Sequence, residues 1–300
     1  MKDIIRDIKQ NFKNGDVITR IIYANAAIFL GISVLGILFS LIGGNNLESI
    51  KNNILDWLAL PTNNITSLLI KPYTFISHMF LHVDFFHMLF NMVLLYFLGK
   101  LFLNYFSQKQ LFGVYILGGL LGALILVLTT TLSPFFKTPG VAYGASAAVM
   151  AIAIGITSYT PNTKVMIFGM FPVKLMWIGI AYVGSDLVSF YDSNTGGHIA
   201  HLTGAGVGYW FSASFKQGND ITMGVSKTIT KLSKLFYSKP KMKVVYNQEK
   251  VKKMSDYQYN THKKATQSEI DAILDKISSS GYSSLSKLEK DILFQHSNKK

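Results

Sequence analysis

Cysteine is absent from the 300 residues, which excludes a disulfide framework, a thiolate nucleophile and any cysteine-held metal. Candidate nucleophiles narrow to serine, threonine, lysine and carboxylate. Charge is also scarce: 15% of residues are charged against 49% hydrophobic, a balance too apolar for a soluble protein of this size. Arginine occurs only as Arg6 and Arg20 among the 29 basic residues, a lysine-rich bias that suggests an AT-rich, bacterial genome.

The charge that is present is unevenly placed. Seventeen of the 29 basic residues follow Ala213, and only seven lie between Ile21 and Ala213. That pattern predicts an apolar body with a basic tail. Met1 to Arg20 is polar, with Ile4, Ile5, Ile8 and Phe12 at helical spacing, and predicts an amphipathic helix at a membrane surface. Its interleaved Asp3, Asp7 and Asp16 argue against a signal peptide. A first span is expected from about Ala24 to Gly44. A long loop then runs to about Val83, whose apolar pieces Ile54 to Leu58 and Leu68 to Ile70 are too short to cross.

Five further spans are expected at about Phe85 to Leu103, Leu111 to Leu132, Val141 to Ser158, Val173 to Phe190 and Gly197 to Phe215. Alternate connections carry five basic residues before the first span, two after the second, two after the fourth and 17 in the tail. The opposite side holds only Lys51, Lys71 and Lys137. The positive-inside rule then makes both termini cytoplasmic and the fold an all-α membrane protein of six transmembrane helices.

Four organisational units follow: an amphipathic segment at 1–20, a six-helix body at 21–215, a basic flexible linker at 216–265 and a small helical module at 266–300. In the last unit Thr266 with Glu269, and Ser286 with Glu289, are placed to cap two helices separated by Gly281. A hairpin of this size is too small to stand alone, so it is expected to dock on itself or on an unknown partner. The basic linker suits anionic lipid. Without interleaved aromatic platforms it does not suit nucleic acid.

Polar side chains inside apolar spans are functional hypotheses by default. Ser146 lies in the small-residue run Gly140 to Ile154, about six residues into its span, and His201 about five into the last, each roughly 8 Å below the outer surface. His87 and Asn91, four apart on one face of the second span, reach a similar depth. The chemistry that fits is acyl transfer: Ser146 attacks, His201 takes its proton, and Asn91, His87 and the Ser146 backbone N–H stabilise the oxyanion. Asp186 is expected deeper in the fifth span, which favours a Ser-His dyad over a triad. His198 and His201, three apart, lack a carboxylate or cysteine to complete a metal set with His78 or His82, so neither metal nor cofactor is expected. His198 is expected as a loop-side hydrogen-bonding residue.

These motifs carry a family resemblance over roughly residues 20–215. Gly144-Ala145-Ser146-Ala147 resembles the Gly-x-Ser-Gly motif of rhomboid intramembrane serine proteases, and Ala200-His201 with Gly204 and Gly208 resembles their histidine motif. His78-Met79-Phe80-Leu81-His82, then His87 to Asn91, is similar to their histidine-rich entry and His-x3-Asn motif. The resemblance selects His201 over His198 as base, gives His87 and Asn91 to the oxyanion hole, and makes His82 a structural residue of the first loop. Gly144, Ala147, Gly204 and Gly208 become packing residues beside the dyad. Ala147 stands where the family has its second glycine, and Met150 where many relatives carry an aromatic ring against the histidine. The implied activity is serine endopeptidase cleavage of single-span membrane proteins near the outer leaflet, in a bacterial plasma membrane. A catalytically inactive, client-binding relative is the alternative. A transporter would call for paired charges or broken helices near the midplane, and neither is visible.

Overall fold

The computed structural model describes residues 2–43, 47–133, 140–167, 169–191, 195–236 and 256–297, which fall into two compact units, Met1–Ser238 and Lys239–Lys300. The first unit opens with α1 (Lys2–Asn14) and α2 (Val17–Gly43). Asp16 starts α2 as an N-cap, its Oδ1 accepting from the Thr19 N–H and hydroxyl at 2.9 Å each. Its Oδ2 accepts from Lys100 Nζ at 2.6 Å. Partial burial works against the charged carboxyl, but the Lys100 and Thr19 bonds outweigh it and hold its pKa below the ordinary value.

The loop after α2 carries α3 (Leu47–Leu58), β1 (Leu60–Pro61), α4 (Ile65–Ile70), α5 (Thr74–Ser77) and a 3-10 turn at His78–Phe80. Side chains staple these short pieces together. Ser77 Oγ donates to the Leu58 carbonyl at 2.6 Å, the Tyr73 hydroxyl to that of Trp57 at 2.9 Å, and Lys71 Nζ to that of Asp56 at 2.8 Å.

The bundle proper is α6 (Phe85–Leu103), α7 (Gln108–Leu132), α8 (Ser146–Tyr159), α9 (Leu175–Val188) and α10 (Thr195–Lys216). Between α7 and α8, β2 (Val141–Ala142) pairs antiparallel with β1. Between α8 and α9 lies a hairpin of β3 (Lys164–Ile167) and β4 (Phe171–Lys174). Among the described residues, Val17–Leu41, Phe85–Leu103 and Gln108–Leu132 are long and apolar enough to cross a membrane. Ser146–Tyr159 and Leu175–Val188 are apolar but only 14 residues long, about 21 Å at the helical rise. The expected fourth span therefore does not begin as helix at Val141. Residues 140–145 are non-helical, and Ser146 is the first residue of α8 rather than the sixth of a longer helix.

Helix α8 is the axis of the bundle. Every residue from Ala147 to Thr157 is buried, and α6, α7, α9 and α10 all pack against it. Small residues make this possible, because association inside a bilayer depends on close packing rather than on escape from water. A methyl added at Gly204 would lie 2.1 Å from the Ala147 carbonyl oxygen, and one at Gly208 2.2 Å from that of Ala151. A methyl at Gly118 would lie 2.5 Å from Ala151 Cβ. The Ala147 methyl itself lies against Gly122 of α7, which leaves the carbonyl side of Ala147 for Gly204. The extra methyl relative to the usual glycine is therefore absorbed by α7.

Two parts of the expected linker are ordered helix. Gly218, at φ +84°, ends α10, and Asp220 then accepts from the Thr222 N–H at 2.8 Å and from Gln110 Nε2 at 2.9 Å. This pins the start of α11 (Met223–Phe236) against α7, where Gly113 leaves room for Thr222. In the second unit α12 runs Asp256–Ser280, so Thr266 is interior and caps nothing. No Gly or Pro interrupts residues 256–265, so the helix continues upstream of the apolar periodicity. The rest of the module follows expectation. Gly281, at φ +77°, stops α12, and Ser286 and Glu289 form a reciprocal capping box ahead of α13 (Lys287–Ser297). Lys276 Nζ donates to Glu289 at 2.9 Å, and Ile273 and Leu285 are buried.

Gly208→Ala is expected to cost about 1–3 kcal/mol by overpacking α8 against α10. Gly206→Ala, where a methyl would meet nothing within 4 Å, is expected to cost nothing. Thermal unfolding in detergent separates the two, and equal melting temperatures would refute the close-packing account.

Candidate active site

The segment ahead of α8 is irregular backbone that runs from exposed Gly140 to buried Gly144 and Ala145, so its inner polar groups must find partners inside the fold. They do. The Gly144 N–H donates to the His78 carbonyl at 2.9 Å, the Ala145 N–H lies 3.4 Å from His82 Nε2, and the Thr62 N–H donates to the Gly140 carbonyl at 3.1 Å. Gly144 itself sits at φ +122°, a conformation that side chains rarely adopt. These ties turn the chain so that Ser146 opens α8, where the first N–H groups of a helix have no intrahelical acceptor.

His78 and His82 are fully inside the loop that makes these bonds. Burial holds both rings down to a pKa of about 4, assisted at His82 by the neighbouring His87. Both are therefore neutral near pH 7. His78 Nδ1 donates to the Thr74 carbonyl at 2.8 Å, and His82 Nε2 is free to accept. The expected structural role of His82 matches this arrangement.

The expected pair comes together. Ser146 Oγ lies 2.6 Å from His201 Nε2, bridging α8 and α10. The expectation that no carboxylate orients His201 does not hold: Asp186 Oδ1 lies 2.8 Å from His201 Nδ1. The correction has a simple cause. Helix α9 ends at Val188, so Asp186 sits two residues from the end that connects to α10 and is not deep in its helix. A carboxylate can only accept, so His201 Nδ1 donates and Nε2 is left as the acceptor for the serine proton.

His198 was expected at the loop side, and it too turns to Asp186, its Nδ1 2.6 Å from the same Oδ1. Asp186 Oδ2 is buried and, among the described residues, without a hydrogen-bond partner. The carboxylate that a metal set was expected to lack is thus present: the ligating atoms of Asp186, His198 and His201 all lie within 4.8 Å of one another.

His87 and Asn91 occupy α6 beside this array. A methyl built on Gly144 would lie 3.0 Å from His87 Cε1 and 3.8 Å from Ser146 Oγ, so the glycine separates ring and hydroxyl by little more than its own missing side chain. Asn91 is buried, and its Nδ2 donates to the His87 carbonyl at 2.9 Å and lies 3.4 Å from His82 Nε2. Met150 is buried among Ile154 and Ala205, with Tyr182 and Val183 of α9 packed against them.

A bundle of apolar helices that joins a serine, a histidine and a carboxylate has the parts of an acyl-transfer site built into an integral membrane protein. Comparison with known proteins assigns the part of the chain that holds these residues to a family. Residues 70–217 match the rhomboid domain family, and on this domain the chain belongs to the rhomboid family. Residues 253–299 match a family of unknown function, DUF6576. Among curated relatives, the RHOMBOID-like protein 12, mitochondrial, of Arabidopsis thaliana is 27% identical over 223 residues, which cover 70% of this chain and 61% of the relative. The chain thus spans less than two thirds of that relative's length.

Two outcomes are expected. Asp186→Asn removes the charge that stabilises the imidazolium, and the rate at which a fluorophosphonate labels Ser146 should fall roughly 10²- to 10⁴-fold. Labelling within twofold of wild type would return His201 to a two-residue mechanism. Second, because the folded-state pKa values of His78 and His82 lie at about 4, below their ordinary 6.5, the unfolded chain binds more protons between those limits. The stability these neutral rings confer is complete above about pH 6.5 and drains away as pH falls towards 4. Melting temperatures in detergent across that window should drop, and His82→Gln, which keeps an acceptor without titrating, should flatten the profile.

Proposed function

We propose that this protein is an intramembrane serine endopeptidase. The observation that carries this reading is the 2.6 Å contact between Ser146 Oγ and His201 Nε2 inside a rhomboid domain. Ser146 attacks the scissile carbonyl as His201 accepts its proton, and Asp186 holds the ring in the tautomer that allows this. The tetrahedral oxyanion is met by backbone N–H groups of the first turn of α8, whose positive dipole end faces the developing charge. His87 and Asn91 add side-chain donors. For Asn91 this requires exchanging its longer partner, His82 Nε2, for the oxyanion.

The substrates are single-span membrane proteins cut near the outer end of their helices. A helical carbonyl is already hydrogen-bonded and screened, so the substrate must unwind locally before Ser146 can reach it. Helix-breaking residues and a small side chain at the cut meet that requirement. All six expected spans cross the membrane with both termini cytoplasmic. The lysine distribution supports that orientation, and the composition supports a bacterial plasma membrane.

Wild-type protein reconstituted in liposomes with a single-span substrate carrying a helix-breaking segment is expected to cleave it, and Ser146→Ala and His201→Ala are each expected to reduce cleavage by at least about 10³-fold. Cleavage that persists in Ser146→Ala would assign the chemistry to another residue. Binding of the substrate by a folded wild type that neither cleaves it nor reacts with a fluorophosphonate would establish the client-binding alternative.

A further inference from the structure

The mechanism uses one of the two histidines that converge on Asp186. The second, His198, donates to the same oxygen at a shorter distance, 2.6 Å against 2.8 Å, and serves no step above. Three potential ligands from two helices therefore meet at one point, supplied by α9 and by two positions three apart on α10. Their side chains are 7%, 13% and 19% exposed, so the cluster is sheltered yet open enough to admit a small ion. Asp186 Oδ2 is buried with no partner among the described residues, a carboxylate oxygen left unsatisfied at the cluster itself.

We propose that Asp186, His198 and His201 form an inhibitory site for a borderline divalent cation of the zinc class. The proposal rests on the protease reading for its consequence but not for the binding itself. Two imidazoles and one carboxylate are the donor set that suits zinc rather than magnesium or calcium, with water filling the fourth position. Metal–ligand bonds near 2.1 Å hold tetrahedral ligands roughly 3.3 Å apart, so the ion enters by spreading the two N–H···O contacts by about half an ångström.

The consequence follows from proton placement. In the metal-free site each neutral ring carries its proton on Nδ1 and donates it to Asp186. Coordination uses the Nδ1 lone pair, so the proton of each ring must move to Nε2, with none lost from a neutral ring. At His201, Nε2 faces Ser146 Oγ at 2.6 Å. In the loaded site that nitrogen donates to the serine and can no longer accept from it. Metal occupancy and general-base function exclude one another, because they need opposite tautomers of one ring.

The test uses the full chain in detergent. Zinc bound at equilibrium is measured by dialysis and metal analysis, and fluorophosphonate labelling of Ser146 is followed across the same zinc concentrations, with magnesium as the control cation. Wild type should bind one zinc per chain, lose labelling in parallel with occupancy and regain it with a chelator, while magnesium does neither. His198→Ala and His198→Asn should still label without zinc, and should need at least about tenfold more zinc for both binding and inhibition. Failure of wild type to bind zinc, or zinc inhibition unchanged in both His198 variants, would overturn the proposal. If metal-free wild type never labels, the protease reading fails, and the dialysis result still decides whether the site exists.

Discussion

How closely two helices can approach determines whether this site exists. A hydroxyl on α8 reaches an imidazole on α10 only because Gly204 and Gly208 let the second helix lie directly on the carbonyls of Ala147 and Ala151, where a single methyl would intrude to within about 2 Å. In lipid, apolar side chains gain little by leaving one another for the surrounding tails, so van der Waals contact between backbones carries much of the association. The same glycines that stabilise the bundle therefore set the reacting distance. Site geometry and fold stability share one constraint at Gly204 and Gly208.

The second constraint concerns the polar backbone. A helix that simply continued through residues 140–145 would satisfy its own N–H and C=O groups but would bury the serine in mid-helix, where its hydroxyl bonds back to a carbonyl one turn earlier. Ending the helix at Ser146 frees the hydroxyl and exposes N–H donors, at the cost of orphan backbone groups in an apolar interior. The long first loop answers that cost. His78 supplies a carbonyl, His82 a neutral acceptor nitrogen and Leu60–Pro61 a short ladder, so a loop far away in sequence makes the irregular segment tenable. Neutrality is part of the design, since a protonated His82 could not accept from Ala145.

Much of this was legible in the residues and some was not, for reasons that can be named. The span Phe85–Leu103 follows from an apolar run interrupted by His87, Asn91 and Lys100 and bounded by Asp84 and Asn104. The serine and the histidine stand out because polar groups in such surroundings are costly. The non-helical start before Ser146 was invisible to hydropathy, which registers only that Gly140 to Ile154 is small and apolar. The relevant sign was local: Gly140 and Gly144 bracket a segment in which a β-branched Val141 precedes the serine. Depth reckoned along an idealised span places Asp186 too far from the end of α9. Counted instead from the short link between α9 and α10, Asp186 and the pair His198 and His201 stand close on either side of the turn, which is the condition for facing one another in antiparallel helices. The upstream part of α12 is polar and carries no periodic signal, whereas α11 does carry one, with Val225, Ile229, Leu232 and Phe236 at helical spacing inside a lysine-rich stretch whose composition alone suggests a linker.

The carboxylate so recovered changes how the site is understood. A lone histidine beside a serine takes its orientation from packing, and the aromatic ring that packs on it in many relatives is here Met150, a flexible side chain with no fixed face. Asp186 supplies orientation by a different means, a charge-assisted hydrogen bond that fixes both the ring plane and the tautomer. A hydrogen bond can be competed for in a way that packing cannot. Because His198 donates to the same oxygen, anything that alters the His198–Asp186 contact acts on the base at one remove. In a site oriented by electrostatics in place of an aromatic plate, a change at Asp186 or His198 resets the proton on His201 without any movement of the helices that hold it.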